Sequence, residues 1–97
     1  MADTPEKKVK TAVKKILDSL GIYHFSPFMA GMGRAGVPDI IGCYKGRFIA
    51  IECKAGKGKT TALQDKELAA IFMAGGFIFV ARETNLEELR ENLSCLK

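Results

Sequence analysis

The sequence has few of the residues that build disulfide frameworks and zinc sites. Its three cysteines are odd in number and widely spaced, with no CxxC pair, so neither kind of site is indicated. A reducing cytosol is the simplest setting for such a chain. The single histidine, His24, has no partner at metal-ligand spacing. We interpret it as a packed or hydrogen-bonded side chain and not as a catalytic base.

Long apolar runs are also absent, although 47% of the residues are hydrophobic. No segment approaches the ~20 residues that span a bilayer, and the N-terminus lacks the apolar stretch of a signal peptide. We therefore expect a soluble cytoplasmic protein with no membrane partner. The 97 residues have room for one compact domain with a modest core, which we place at residues 1–97.

Basic residues are in modest excess, with a net charge of +4 and a pI of about 9.1. This favours a polyanionic partner such as nucleic acid, although so small an excess is also common in ordinary soluble proteins. Four lysines of the first predicted helix lie opposite its apolar stripe, and we interpret them as an ordinary solvated face. They are Lys7, Lys8, Lys14 and Lys15.

Hydrophobic periodicity and turn signals predict the order helix, three strands, helix, strand, helix. The first helix begins at Thr4 and ends at Gly21. A β-leaning aromatic run and a hairpin follow it, at residues 22–28, Ile40 to Tyr44 and Phe48 to Cys53.

Capping boxes mark the two later helices. Thr61 and Gln64 open a helix that runs to about Ala74, and Thr84 with Glu87 opens the last one. Between them lies a continuous apolar strand, residues 77–81, of the kind that is buried on both faces. A right-handed crossover makes this strand parallel to the second strand of the hairpin. The result is a small mixed sheet with helices packed on it.

The hairpin brings two carboxylates together. If it has a two-residue turn, Tyr44 pairs with Arg47, and the same register places Asp39 opposite Glu52 on one face of the sheet. Directly opposed side chains have Cβ atoms about 4.5 to 5.5 Å apart, and like charges so placed destabilise a sheet unless something offsets them. A three-residue loop would shift the pairing by one, whereas a four-residue loop centred on the same point would preserve it.

A bound divalent cation would offset the two charges. Magnesium prefers hard oxygen ligands and is typically held by one or two carboxylates, with water and phosphate completing its shell. Lys54 lies two residues beyond Glu52 and so on the same strand face. Its ammonium there would orient or help deprotonate a water and offset charge that develops on phosphorus. The alternative is that Asp39 follows turn chemistry and that Glu52 and Lys54 are solvated charges.

Two further polar residues lie on the inner sides of their helices. Glu6 falls between Val13 and Leu17 on a helical wheel, which suits another member of an acidic site. A glutamate in the first helical turn also favours the helix dipole, however, and can remain hydrated there. Gln64 falls on the inner side of the second helix, although its capping-box position already explains it.

Together these residues resemble a known family. Gly36-Val37-Pro38-Asp39 and Ile51-Glu52-Cys53-Lys54, with Glu6 upstream and Gln64 downstream, look like the motifs of the PD-(D/E)XK nuclease superfamily. Within it they are most similar to the virus-type replication-repair nuclease (VRR-NUC) domain. The resemblance covers nearly the whole chain. It implies an α/β fold with a restriction-endonuclease-like αβββαβα core, in which a small mixed sheet is flanked by helices.

The resemblance also implies roles for these residues. Asp39 and Glu52 would bind Mg²⁺ or Mn²⁺, with the Cys53 backbone carbonyl as a further ligand. Lys54 would assist the attacking water. Glu6 would complete the acidic cluster as a metal ligand, and Gln64 would support the site from the next helix.

The implied activity is that of a metal-dependent DNA endonuclease that hydrolyses phosphodiester bonds. Its substrate would be branched or structured DNA such as a Holliday junction, in DNA repair or in a phage, and a viral origin would place it in the host cytoplasm. Two rival functions remain. One is a DNA-binding or assembly module that keeps the nuclease fold without cleaving, and the other is a basic scaffold protein that binds no metal.

Two loops supply candidate DNA contacts. Residues 31–36 satisfy GxGxxG, but that dinucleotide-binding fingerprint requires a helix directly after the glycines, and a strand follows here. The glycines either let the loop approach a phosphate backbone, with Arg34 as a contact, or make a flexible connection. Lys57 and Lys59, in the loop after Lys54, would neutralise phosphates.

The second helix is apolar all round from Leu68 to Ala74, which is more than one buried face requires. A two-fold dimer contact through this helix is the natural inference. Full enclosure by the sheet and the last helix is the alternative. Stand-alone members of the resembled family are associated with homodimers, which agrees with the first interpretation.

Overall fold

The structure of the chain is a computed structural model that describes residues 4–27 and 34–96. Its elements follow the predicted order. They are α1 (Pro5–Ser19), β1 (Tyr23–Phe25), β2 (Ile40–Tyr44), β3 (Arg47–Cys53), α2 (Ala62–Met73), β4 (Phe77–Ala81) and α3 (Leu86–Ser94). Within these described ranges, no helix combines the length and apolarity needed to cross a bilayer.

The four strands form one mixed sheet in the order β1-β2-β3-β4. β1, β2 and β3 are antiparallel neighbours, and the chain returns through α2 so that β4 lies parallel to β3. The predicted parallel pairing is therefore confirmed. The fold is the predicted small α/β arrangement of a mixed sheet flanked by helices.

The β2–β3 hairpin has the two-residue turn that fixes its register. Lys45 and Gly46 both have positive φ, 52° and 80°, as a type I′ turn requires. The strands pair from this turn as far as Ile40. One residue further along, the same register sets Asp39 opposite Glu52, as predicted.

The main core lies between the sheet and the helices α1 and α3. Its buried side chains include alternate, odd-numbered residues of β3. They are Val9, Val13, Ile16, Leu17, Ile22, Ile40, Ile49, Ile51, Cys53, Ala81, Leu89 and Leu93. Because successive strand residues point to opposite faces, Glu52 and Lys54 lie on the other face of the sheet, toward α2.

The face toward α2 is only partly covered. In the described part of the chain, Leu68 is the one α2 residue that is fully buried, whereas Phe72 and Met73 are 61% and 82% exposed. The sheet and α3 therefore do not enclose α2. β4 is an edge strand, and its first four residues are half-buried. The prediction that it is buried on both faces is wrong, because α2 covers one face incompletely.

The last helix begins without the predicted capping box. Asn85 is its N-cap residue and makes no side-chain cap hydrogen bond. The Asn85 carboxamide instead donates to the Val80 carbonyl at 2.9 Å and accepts the Arg82 N–H at 2.7 Å. The Thr84–Glu87 box is wrong because Asn85 closes the turn after β4 and takes the N-cap position one residue later.

Gly36 lets the chain before Asp39 approach α2 closely. Its φ is +76°, and a Cβ there would lie 2.4 Å from the Leu63 carbonyl oxygen.

We expect Gly36→Ala to lower the free energy of unfolding by about 2 to 4 kcal/mol, because backbone strain and a clash with backbone atoms add together. Gly21→Ala is a matched control for urea denaturation, since Gly21 has φ +72° but open space around it. It should cost only about 1 to 2 kcal/mol. Equal losses would show that the contact with α2 is unimportant.

Candidate active site

Asp39 is held against the end of β3 by its side chain. Its Oδ2 accepts the backbone N–H of Cys53 at 2.8 Å. The N–H and C=O of one strand residue point to the same side of the strand, so the Cys53 carbonyl is also directed toward the Asp39 side of β3. The predicted backbone ligand and the predicted first carboxylate therefore lie at the same edge.

Glu52 is the one polar or charged residue in the fully buried part of the described chain, at 3% exposure. Its Oε2 accepts a hydrogen bond from Gln64 Nε2 at 3.0 Å and lies 3.6 Å from Lys54 Nζ. Its Oε1 is buried with no hydrogen-bond partner. An unpaired buried carboxylate oxygen is costly, so Oε1 is the atom here that most lacks a ligand.

The environment raises the pKa of Glu52 from its ordinary 4.5 to about 7. Burial is the largest cause, followed by the negative charge of Asp39, while Lys54 opposes the shift. A raised pKa is what two neighbouring carboxyl groups in a buried site are expected to produce. The shift agrees with the geometry, in which Asp39 is hydrogen-bonded to the N–H of the residue that follows Glu52.

Lys54 is fixed beside this pair. Its backbone N–H donates to the Ala81 carbonyl at 2.9 Å and so extends the pairing with β4 past the end of β3. Its side chain is 13% exposed, so the ammonium is held close to Glu52 rather than free in solvent. The Lys54 ammonium therefore lies next to a carboxylate, Glu52, that has one oxygen without a hydrogen-bond partner.

Gln64 uses both ends of its amide. Its Oε1 accepts the Thr61 N–H at 2.9 Å, and the Thr61 hydroxyl accepts the Gln64 N–H in return, which confirms the predicted capping box. Its Nε2 donates to Glu52. Helix capping and a contact within the site are alternative roles for Gln64 in the sequence analysis. In the structure, Gln64 has both.

Glu6 lies near the carboxylate pair without joining it. It is exposed in the first turn of α1 and lines a cavity of about 310 Å³ together with Asp39. Within residues 4–27 and 34–96, no three or more His, Cys, Asp or Glu side chains are grouped so as to hold a metal ion. The described site therefore offers two carboxylates directly, and Glu6 borders the adjoining cavity.

The Cys53 side chain belongs to the core and not to the site. Burial raises the pKa of its thiol to about 12, with the negative charges of Asp39 and Glu52 as further causes and Lys10 opposing them. The thiol is therefore neutral at physiological pH. Only the backbone of Cys53 faces the carboxylates.

The loop after Lys54 is anchored beside the site. The Gly56 N–H donates to Glu83 Oε1 at 2.7 Å, and Arg82 donates to the Gly56 carbonyl at 3.1 Å. Lys57 and Lys59 are exposed on this loop, as phosphate contacts would need to be. No local pattern in the sequence predicts this anchor, because its partners lie 26 and 27 residues apart.

Arg34 has a partner within the protein. Its guanidinium donates to both carboxylate oxygens of Glu67 on α2, at 2.9 and 3.2 Å. The predicted DNA contact is therefore part of an ion pair on the surface. Of the predicted phosphate-approaching glycines, Gly36 packs against α2, while Gly31 and Gly33 lie outside the described residues. His24 is hydrogen-bonded to Asp18 at 2.7 Å, as its interpretation from the sequence required.

The fold and the site together define a class of protein. It is a small α/β protein whose helix-flanked mixed sheet is consistent with a restriction-endonuclease-like core, and it carries two neighbouring carboxylates, the buried Glu52 and the half-buried Asp39, beside a lysine. Comparison with models of known protein families finds no match. The chain is 33% identical over 88 residues to the protein named "Putative nuclease p44" of Acyrthosiphon pisum secondary endosymbiont phage 1. The alignment covers 90% of this chain and 88% of the phage protein, and the chain belongs to the family of that protein.

The raised pKa of Glu52 makes stability depend on pH. Because the folded value of about 7 exceeds the ordinary 4.5, the favourable contribution of protonated Glu52 is complete below pH 4.5 and is lost as the pH rises through 7. Glu52→Gln keeps a neutral side chain at every pH. At pH 8 in EDTA, we expect it to exceed the wild type in unfolding free energy by about 1 to 3 kcal/mol, since one pKa unit is worth about 1.4 kcal/mol.

Urea denaturation at pH 8 and pH 5 measures this difference, which should shrink at the lower pH. Glu88→Gln, an exposed change on α3, is the control and should alter stability by less than about 0.5 kcal/mol at both pH values. A Glu52→Gln effect that is the same at pH 5 and pH 8 would contradict the electrostatic origin.

Proposed function

We propose that this protein is a metal-dependent nuclease of the VRR-NUC type that hydrolyses phosphodiester bonds in DNA, with its active site at Asp39, Glu52 and Lys54. The observation that carries the proposal is the buried Glu52 carboxylate, which faces Asp39 and has one oxygen without a partner. The PD-(D/E)XK motifs and the name of the phage relative support the same chemistry.

The donor set fits a hard divalent cation such as Mg²⁺ or Mn²⁺. Asp39, Glu52 and the Cys53 carbonyl supply the oxygen atoms that such ions prefer. Positive charge there would offset the burial and the repulsion from Asp39 that together raise the pKa of Glu52. Glu6, on the adjoining cavity, is the candidate for a further ligand. When bound, the ion would polarise the scissile phosphate and make a water molecule a stronger nucleophile.

The protein's own groups would position the reactants. Lys54 holds an ammonium beside Glu52, where it would orient the attacking water and offset the charge that develops on the phosphoryl oxygens. Gln64 holds Glu52 with one end of its amide and is fixed by the helix cap at the other. The direction of the carboxylate is therefore set before substrate arrives. Attack by water forms one P–O bond and breaks another, and the leaving oxygen takes up a proton.

Branched or structured DNA, such as a four-way junction, is the proposed substrate. The family resemblance supports this preference, and a dimer would offer two sites to the arms of one junction. Lys57 and Lys59 would contact the backbone near the site, and Arg34 would do so if phosphate takes the place of Glu67. A role in DNA repair or in a phage, in the host cytoplasm, follows from the same resemblance.

Cleavage of supercoiled plasmid and of a four-way junction tests the proposal. We expect the wild type to cut in Mn²⁺ and not in EDTA. Glu52→Ala and Lys54→Ala should each reduce the rate at least about 100-fold, because each removes a group that acts on the reacting phosphate or water. Rates are measured from gels under single-turnover conditions.

Lys66→Ala is the matched control, since Lys66 is an exposed lysine of α2 outside the proposed site, and it should cut at the wild-type rate. A wild type that binds DNA without cutting it would support the non-cleaving module instead. A Glu52→Ala variant that cuts as well as the wild type would overturn the assignment of the site. Equal cutting of junction and linear duplex would remove the proposed branch preference.

The proposed enzyme is a homodimer that associates through the Leu68 to Ala74 part of α2. Exposed apolar side chains, Phe72 and Met73, lie on this helix beside a groove of about 390 Å³. The small residues Ala70, Ala74 and Gly76 line this groove together with Phe48, Ile71 and the Arg34–Glu67 ion pair. Two copies related by a two-fold axis would place the large side chains of each against the groove of the other.

We expect light scattering after size exclusion to give a dimer at micromolar concentration. Phe72→Asp should shift the protein to monomer, because it would place a charge in the apolar contact. Phe25→Asp, at an exposed aromatic on the β1 edge, is the control and should remain dimeric. A monomeric wild type would contradict the proposed assembly.

A further inference from the structure

The lysines of α1 are divided between two surfaces. Lys7, Lys10 and Lys14 line the cavity of about 310 Å³ that also contains Asp39, and we call them the α1 lysine face. Lys15 is exposed and Lys8 lines a different cavity. The sequence interpretation treats the lysines of this helix as one solvated surface. In the structure, only some of them adjoin the cavity beside Asp39.

The spacing of the α1 lysine face gives it a direction. Residues three and four apart lie on the same side of a helix, so these lysines form a row. At about 1.5 Å per residue, Lys10 and Lys14 are offset by roughly 6 Å along the axis. Phosphates of one DNA strand recur every ~3.4 Å of duplex axis, so the two ammonium groups can contact different phosphates.

The position and charge of the row favour an anion. Lys10 and Lys14 are half-buried beside the cavity, whereas Lys7, Lys8 and Lys15 are exposed. Both half-buried lysines line the same cavity as Asp39, whose carboxylate accepts the Cys53 N–H at the strand end that carries the site. The cavity holds three lysines against the carboxylates of Glu6 and Asp39. It therefore has a net positive charge before any cation is bound.

We propose that the α1 lysine face is a phosphate-binding surface that seats the nucleic acid backbone and leads one strand to Asp39. The inference rests on the proposed nuclease function and adds a substrate-binding surface to it. It assigns the approach of the strand to α1, on the Asp39 side of the site, in addition to the loop that carries Lys57 and Lys59. Lys10 and Lys14 are binding residues and not catalytic ones.

Fluorescence anisotropy with a labelled 20-base-pair duplex, in EDTA and over a salt series, tests the surface without requiring cleavage. Lys10→Gln/Lys14→Gln should bind at least about 10-fold more weakly at 100 mM salt. The slope of log K against log salt should fall in magnitude by about 1.8, because each lost phosphate contact contributes about 0.9. Lys8→Gln/Lys15→Gln removes the same charge from the same helix and should stay within about 2-fold of the wild type.

Circular dichroism and thermal unfolding check that both double variants fold. Lys10→Arg/Lys14→Arg should restore binding, since the charge is kept. Equal loss of affinity in the two Gln pairs would show a general charge effect and overturn the surface alone, whether or not the wild type cleaves DNA. A wild type that binds DNA but does not cut would overturn the nuclease and leave the surface standing. A wild type that binds no DNA would overturn both.

Discussion

The pairing of β2 with β3 sets two carboxylates opposite each other at the end of the sheet. The groups around them partly offset the repulsion between the two negative charges. Like charges so placed repel, and burial of Glu52 on the α2 face strengthens the repulsion by removing water. The Cys53 N–H, the Gln64 amide and the Lys54 ammonium each supply a donor or a positive charge. One oxygen of Glu52 is still left without a partner. Such an arrangement is poor for stability and well suited to a bound cation.

The fold accommodates the two close carboxylates at one edge of the sheet. Among the described residues, the buried core on the opposite face of the sheet, filled from α1 and α3, consists of apolar side chains and cysteine, so the repulsion between the two carboxylates is confined to one side. α2 contributes Gln64 to the site from its first turn and leaves Phe72 and Met73 exposed at its other end. The same helix therefore closes the site at one end and offers an apolar surface at the other. Gly36 permits the close approach that this first turn requires.

Much of this could be predicted because the interactions concerned are local. The two-residue turn, the alternation along β3 and the Thr61–Gln64 capping box each depend on residues a few positions apart, so their spacing in the chain determines their geometry. The site role of Gln64 is harder to predict, because its capping-box position already explains the residue. The amide oxygen of Gln64 forms the helix cap, while the amide nitrogen is free to donate to Glu52. The burial of β4 was predicted wrongly, since a continuous apolar strand does not reveal whether a neighbour covers its second face.

The sequence by itself therefore predicted the order of the elements and the grouping of Asp39, Glu52 and Lys54 on one face, given a two-residue turn. The structure showed that the hairpin has this turn. Only the tertiary structure decided which side chains reach that group from elsewhere in the chain. Packing of α1 brings Lys10, Lys14 and Glu6 to the cavity beside Asp39, and packing of α2 pairs Arg34 with Glu67. The physical reason is that hydrogen-bond register and side-chain alternation are encoded over a few residues. Contacts between separate elements depend instead on how the helices pack on the sheet, and the spacing of residues along the chain does not specify this packing.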